Sequence, residues 1–150
     1  MLKGNWGRAI LTFVLIATFA VSDAVDWNET HLFNPSWTPH AKFHDVAMLH
    51  LLTGVCLMAL WLLWRRSLEP LVAAKVAFLI PVIFWAAFFY ATWLVPGTSL
   101  KAMPDEELPA IAGFELYPNW IIAAVNVILA TVGYLIRRRE HQTEISASGI

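Results

Sequence analysis

Long apolar runs alternate with polar segments along this chain, and four of the runs are long enough to cross a membrane as helices. They cover roughly residues 9–25, 46–64, 73–95 and 119–136. A transmembrane helix needs about 20 apolar residues to cross a hydrocarbon core roughly 30 Å thick. The pattern therefore predicts an all-α fold: a four-helix transmembrane bundle in a single domain (residues 1–139), followed by a polar tail (140–150) that we expect to fray.

The composition favours lipid over water as the solvent of this fold. Hydrophobic residues make up 59% of the chain and charged residues 14%, whereas an average soluble domain has roughly 45–50% and about 25%. A chain of 150 residues exposes much of its surface when folded, so surplus apolar residues would face water and aggregate. We therefore predict an integral, multi-pass membrane protein whose first partner is membrane lipid.

The basic residues predict the orientation of the bundle. Two of them, Lys42 and Lys101, fall on one side of the predicted spans. The other eight fall on the opposite side: Lys3, Arg8, Arg65, Arg66, Lys75, Arg137, Arg138 and Arg139. Because cytoplasmic segments are enriched in Lys and Arg, both termini are predicted to be cytoplasmic, with the first span retained. The long loops after helices 1 and 3 are then extracytoplasmic, and most acidic residues, including Asp105, lie at or beyond that side. A net charge of −1 gives no reason to expect a nucleic-acid partner.

Histidines cluster at the predicted outer end of spans one and two. Four of the five lie between positions 31 and 50. If the second helix begins near Pro39 with Thr38 as its N-cap, His40 and His44 lie one turn apart on the same face. Imidazole and carboxylate groups are ligands that zinc and non-haem iron accept. The candidate metal ligands are His31, His40, His44, Asp23 and Asp26.

Two other interpretations of this cluster stay open. Without a metal, a histidine beside a carboxylate can act as a general acid or base, and His40, His44 and Asp45 are the candidate catalytic residues. Alternatively, the histidines and aspartates only tie the long loop to the helix ends through hydrogen bonds.

Polar and aromatic residues elsewhere are candidates for ligand binding. An ionisable group inside a span suggests function because charge is costly there, and aromatic surfaces suit lipophilic or cationic ligands. The candidates are His50, Trp85, Phe89, Glu115 and Asn126. For each there is a structural alternative, such as a satisfied helix contact, an interfacial aromatic belt or a solvated carboxylate.

The fourth span carries small and polar residues at steps of four and three. They are Asn119, Ala123, Asn126, Ala130 and Gly133. Such a stripe is typical of close helix packing in membranes. It predicts a contact with a neighbouring helix, and it offers a route to oligomerisation.

One segment resembles a family motif. The residues that carry the likeness are Asp26-Trp27-Asn28, Thr30-His31, Asn34-Pro35, Trp37, Pro39-His40-Ala41 and Phe43-His44. The chain is similar in these residues to a family of small four-helix integral membrane proteins of unassigned biochemistry. Its architecture also resembles, more loosely, the emopamil-binding and sigma-2 receptor group. That second resemblance implies a sterol or a cationic amphiphile as the class of ligand.

Two hypotheses of function follow. In the first, the protein is an enzyme that uses the His/Asp site for acid–base or metal-assisted chemistry on a lipophilic small molecule. In the second, it is a non-enzymatic membrane protein, either a module that binds a lipophile or a small subunit of a membrane complex.

Overall fold

Four helices form the body of the protein in a computed structural model that describes residues 4–101 and 106–148. They are α1 (Trp6–Asp26), α2 (Pro39–Trp64), α3 (Pro70–Leu94) and α4 (Pro118–Ser148). Each is long and apolar enough to cross a membrane, so the prediction of a four-helix bundle is confirmed. The described residues do not include Lys3 and Asp105, two of the charged residues in the analysis of the charge distribution. They also do not include the last two residues of the tail.

Proline determines where three of the helices begin. Pro39, Pro70 and Pro118 are the first residues of α2, α3 and α4, a position where the missing N–H costs nothing and the fixed φ suits a helix. The hydroxyl of Thr38 accepts a hydrogen bond from the backbone N–H of Ala41 at 3.2 Å. The predicted start of α2 and its N-cap are therefore confirmed.

Helices α1 and α3 form the centre of the bundle, and each of them packs against all three other helices. Helices α2 and α4 lie on opposite sides and do not contact each other within the described residues. The core includes Leu11 and Leu15 of α1, Leu52 and Cys56 of α2, and Ala74 and Ala77 of α3. We call the end that carries segments 27–38, 95–101 and 106–117 the loop end, and the opposite end the termini end.

The surface of the bundle is apolar. In the most apolar stretch of each helix, at most 28% of the residues are buried inside the protein, so most of the side chains there are at least partly exposed. Exposed residues include Phe13, Leu51, Trp61, Ile83 and Ile128. A surface of this kind is stable in lipid and would aggregate in water. The protein is therefore described best as a multi-pass membrane protein.

The C-terminal tail differs from the expectation that it frays. Helix α4 continues without a break to Ser148, which makes it about 46 Å long, longer than the roughly 30 Å of a hydrocarbon core. The side chain of Arg137 is only 2% exposed and forms a fork with Glu144, in which its two terminal nitrogens lie 3.2 and 3.4 Å from the carboxylate oxygens. This ion pair holds the helix together across two turns beyond the apolar span.

The segment before α4 contains the one departure from an all-α fold in the described residues. Strands β1 (Ala110–Ile111) and β2 (Phe114–Glu115) form a short antiparallel hairpin. Ala112 and Gly113 turn the chain with φ angles of +51° and +84°. Hairpin turns of this kind usually carry Asn or Gly at both positions. Because Ala112 occupies the first of them, the sequence did not indicate a hairpin here.

The small-residue stripe of α4 is a packing face inside the chain, as predicted. Ala123 and Ala130 are completely buried, and Asn126 is 6% exposed. A Cβ atom at Gly133 would lie 2.9 Å from Ile10 Cγ2 and 3.2 Å from Leu11 Cγ, which shows how closely α1 approaches. Helix α1 therefore packs against this face at Gly133, and oligomerisation through the stripe stays a prediction.

Trp85 links α3 to α1 and provides a test of the core. Its indole N–H donates a hydrogen bond to the hydroxyl of Thr18 at 3.0 Å, and both side chains are buried. The Trp85→Phe substitution leaves that hydroxyl without its donor, so we expect the free energy of unfolding to fall by about 1–3 kcal/mol. Trp93→Phe on the same helix is the control, because Trp93 is 87% exposed. Denaturant unfolding in detergent micelles measures both, and equal effects would contradict the prediction.

Candidate functional site

The two histidines in the first turns of α2 form a close pair. The Nε2 atoms of His40 and His44 lie 3.0 Å apart, and the rings meet edge to face with their centroids 4.5 Å apart. Both residues are exposed at the loop end. One Nε2–H therefore donates to the other Nε2.

The aspartates gather on another side of α2. His31 Nε2 lies 3.8 Å from Asp26 Oδ1, and Asp26 interacts electrostatically with Asp45 and Asp23. Asp23 accepts a hydrogen bond from the Thr53 hydroxyl at 3.1 Å, which joins α1 to α2. One carboxylate oxygen of Asp45 is buried and has no hydrogen-bond partner among the described residues. This group, Asp23, Asp26, Asp45 and His31, is called the carboxylate cluster below.

The five predicted metal ligands thus divide into two sets. His40 and His44 are paired with each other, whereas Asp23, Asp26 and His31 belong to the carboxylate cluster. Within residues 4–101 and 106–148, no group of three His, Cys, Asp or Glu side chains comes together as a metal site. The reason is helical geometry, because consecutive residues lie about 100° apart round a helix. His44 and Asp45 consequently point in different directions.

The loop between α1 and α2 is tied down by its own side chains. The side-chain oxygen of Asn28 accepts hydrogen bonds from the backbone N–H and the hydroxyl of Thr30, at 2.8 and 2.7 Å. The side-chain oxygen of Asn34, which is 6% exposed, accepts from the N–H and hydroxyl of Ser36, at 2.9 and 2.7 Å. Thr30 also contacts Nδ1 of His31 at 2.8 Å. The sequence analysis assigned neither Asn28 nor Asn34 a structural role, although both occur in the motif and asparagine commonly forms such turns.

An apolar groove runs along the side of the bundle between α2 and α3. Its volume is about 380 Å³. It is lined by Met48, Leu51, Leu52, Val55, Met58, Ala59, Leu62, Val76, Ile80, Ile83 and Phe84. Met48 is the lining residue nearest the loop end on α2. His44 lies one turn before it, on the same helix face. The histidine pair therefore stands at the loop end of this α2–α3 groove.

The predicted ligand-binding residues do not share one site. His50 is exposed on α2, Trp85 is bonded to Thr18 inside the bundle, and Asn126 donates to the carbonyl of Ile122 in its own helix at 2.9 Å. Phe89 lines a separate α3–α4 groove together with Trp93, Trp120, Ile121 and Ala124. Glu115 lies in the hairpin. The structure therefore gives these residues different neighbours.

Glu115 has two partners in the segment before α4. Lys101 Nζ and the Tyr117 hydroxyl each donate a hydrogen bond to its carboxylate at 2.8 Å. The bond from Lys101, followed by the bond from Tyr117, lowers the pKa of Glu115. A lowered pKa means that these contacts stabilise the fold above the ordinary glutamate pKa and lose that effect as the pH falls through the lowered value. At neutral pH, Glu115 is therefore an ionised and already paired carboxylate.

Comparison with known proteins gives a family and no characterised relative. Neither the curated proteins nor the solved structures include a match. A family of unknown function (DUF6640) matches residues 12–146, which include all of α2 and α3, most of α1 and α4, and both sets of polar residues at the loop end. The chain belongs to this family.

Proposed function

We propose that this protein is a multi-pass membrane protein, with both termini in the cytoplasm, that binds a long-chain amphiphile with an acidic head in the α2–α3 groove. One observation supports this proposal above all. The apolar groove and the His40–His44 pair follow each other along one face of α2. An apolar chain and a polar head thus have adjacent places.

The groove suits a single apolar chain. From Met48 to Leu62 it extends for about 21 Å along α2, roughly two thirds of a 30 Å hydrocarbon core. Its volume of about 380 Å³ is near the lower end of the roughly 300–1,000 Å³ that is usual for ligand pockets. Two of its lining residues, Met48 and Met58, are flexible and adapt to the shape of a chain. A ligand enters sideways from the lipid, because Leu51, Met58 and Ile83 of the lining are exposed on the surface of the bundle.

The histidine pair suits an acidic head. A neutral imidazole offers one N–H donor, and a protonated one offers two donors and a positive charge. A hydrogen bond from a charged donor to a carboxylate or phosphate is roughly twice as strong as a neutral one. Both rings are exposed, so they are free to contact a head group at the membrane surface. We choose palmitate as the probe.

Filling the groove should prevent binding. Val55 lines the groove, whereas Leu57 is 52% exposed and lies about 200° round the helix from Val55. Val55→Trp should displace at least two methylene groups of the ligand at about 0.8 kcal/mol each, and we expect palmitate to bind at least about tenfold more weakly. Leu57→Trp should leave binding unchanged. Radiolabelled palmitate and protein in phosphatidylcholine nanodiscs give both affinities.

Two further results bear on the proposal. His44→Ala should weaken the binding of palmitate more than that of hexadecanol, which has the same chain and no acid group. The proposal is wrong if palmitate binds no better to the wild-type nanodiscs than to protein-free ones, or if Val55→Trp and Leu57→Trp have the same effect.

A second candidate function is acid–base chemistry at the carboxylate cluster, favoured by the Asp26–His31 contact of 3.8 Å. A carboxylate beside an imidazole orients it and supports proton transfer. If the protein hydrolyses a lipophilic ester such as 4-nitrophenyl palmitate, Asp26→Asn and His31→Gln should remove the activity, whereas His40→Ala should retain it. A wild-type protein without turnover, or variants with undiminished turnover, would count against this function for such esters.

A further inference from the structure

We infer that His40 and His44 together bind a divalent transition-metal ion through their Nε2 atoms. The inference goes beyond the proposed function, because it rests on the geometry of the two rings and needs no amphiphile. Zn²⁺ is the probe that we choose.

The spacing of the two nitrogens is the first argument. Zn–N bonds are about 2.0–2.1 Å long, and two such ligands in tetrahedral geometry are about 3.3 Å apart. The Nε2 atoms are 3.0 Å apart and face each other, so small rotations of the rings bring both lone pairs onto one ion. The nitrogen that donates the present hydrogen bond must give up its proton, either to solvent or to its own Nδ1 through the other neutral tautomer.

The rigidity of the site is the second argument. The Thr38 cap and Pro39 fix the first turn of α2, so the two ligands are held one turn apart before any ion arrives. Preorganisation of this kind reduces the entropy that binding would otherwise cost. Two protein ligands leave two positions of a tetrahedral ion for water or for the oxygen of another molecule.

The charge around the pair is the third argument. The neighbouring carboxylate cluster carries three aspartates and one histidine, and Glu29 lies in the loop between α1 and α2. Lys42 is the one lysine or arginine in this stretch of the chain, 26–45. The resulting negative potential raises the local concentration of cations. The histidine pair therefore meets divalent ions at the loop end more often than it would on a neutral surface.

A titration of tag-free protein in detergent with Zn²⁺, measured by isothermal calorimetry, tests the inference. We expect one Zn²⁺ per chain, bound at least tenfold more weakly by His40→Ala or His44→Ala. The matched control is the triple variant His44→Ala/Ala47→His/His50→Ala, which has as many histidines as His50→Ala but places the second one two turns from His40, about 10 Å along the helix. His50 is replaced because a histidine at position 47 would otherwise lie one turn from it on the same helix face. It should bind as weakly as the single variants, whereas His50→Ala should bind like the wild type.

Other results would overturn the inference or indicate a disturbed fold. Equal zinc binding by the wild type and the triple variant would show that the ion is held elsewhere, for instance by carboxylates, and would overturn the inference. Val55→Trp separates this site from the groove, because it should retain zinc while it loses palmitate. Loss of zinc binding in that variant would instead indicate a disturbed fold, and circular dichroism would then decide whether α2 is intact.

Discussion

Gly7→Ala should destabilise the protein by about 3 kcal/mol or more, at the upper end of what overpacking usually costs. A Cβ atom at Gly7 would clash with the backbone nitrogen of Arg137 and lie 2.6 Å from its Cα atom. Backbone atoms have no rotamer to move to, so α1 and α4 must separate. Such a shift would also lengthen the hydrogen bond from the Gly7 N–H to Glu140, now 3.3 Å.

Two other glycines provide a graded control. Gly54 also lies inside a helix, but a Cβ atom added there would meet no other described atom within 4 Å. Gly54→Ala should therefore be neutral or stabilise by up to about 1 kcal/mol. At Gly133 the three atoms nearest to an added Cβ belong to the side chains of Ile10 and Leu11, which can move, so Gly133→Ala should fall between the two. Unfolding in mixed detergent micelles gives the order. If Gly7→Ala were as mild as Gly54→Ala, the close contact of α1 with α4 would be refuted.

The helices were predictable because lipid imposes a simple rule on the sequence. A chain that crosses a bilayer must satisfy its backbone hydrogen bonds internally, so an apolar run of sufficient length indicates a helix. Pro39 and Thr38 refine the start of α2 for reasons that are local to the first turn. The stripe through Ala123, Ala130 and Gly133 predicts close packing because small residues let backbones approach.

The partners within the bundle were less predictable, because apolar periodicity does not say which helix faces which. Nothing in the sequence alone pairs Gly7 with Arg137, which lie near opposite ends of the chain. Arginine at the end of a span was counted as a marker of orientation, yet Arg137 is buried against α1. The helical tail follows from that burial, since the Arg137–Glu144 fork needs both residues on one continuous helix.

The candidate site was predictable in part. The i, i+4 spacing correctly places the rings of His40 and His44 together. Convergence with the aspartates depends on the direction in which each side chain leaves its helix. Asp45 follows His44 directly and therefore lies about 100° away from it, on the side where His31 and Asp26 gather. For that reason, histidines and aspartates that are close in the sequence lie in two separate groups in the structure.

Arg137→Ala should be the second large perturbation, because it removes the positive member of a buried network. The side chain of Arg137 is 2% exposed. Its guanidinium forms an ion pair with Glu144 and lies 3.8 Å from Glu140. Its loss leaves two carboxylates near each other without their cation. Removing one partner of a buried ion pair typically costs about 3–5 kcal/mol of stability. Because Glu144 is partly exposed, we expect the free energy of unfolding to fall by about 3 kcal/mol. The neighbouring Arg138→Ala should cost little, since Arg138 is exposed.

A double-mutant cycle separates the charge from the packing in this network. Arg137→Met keeps much of the volume of the side chain but removes the guanidinium from Glu144, which retains only His141 at 3.6 Å. Glu144→Gln weakens the Arg137–Glu144 contact from the other side. If the ion pair stabilises the tail, the double variant should be less destabilised than the sum of the two single variants. Unfolding in the same micelles gives the coupling energy, and hydrogen exchange of residues 138–148 reports the tail directly. Additive effects with unchanged exchange would mean that the tail is helical for another reason, whereas coupling with faster exchange would assign its stability to Arg137.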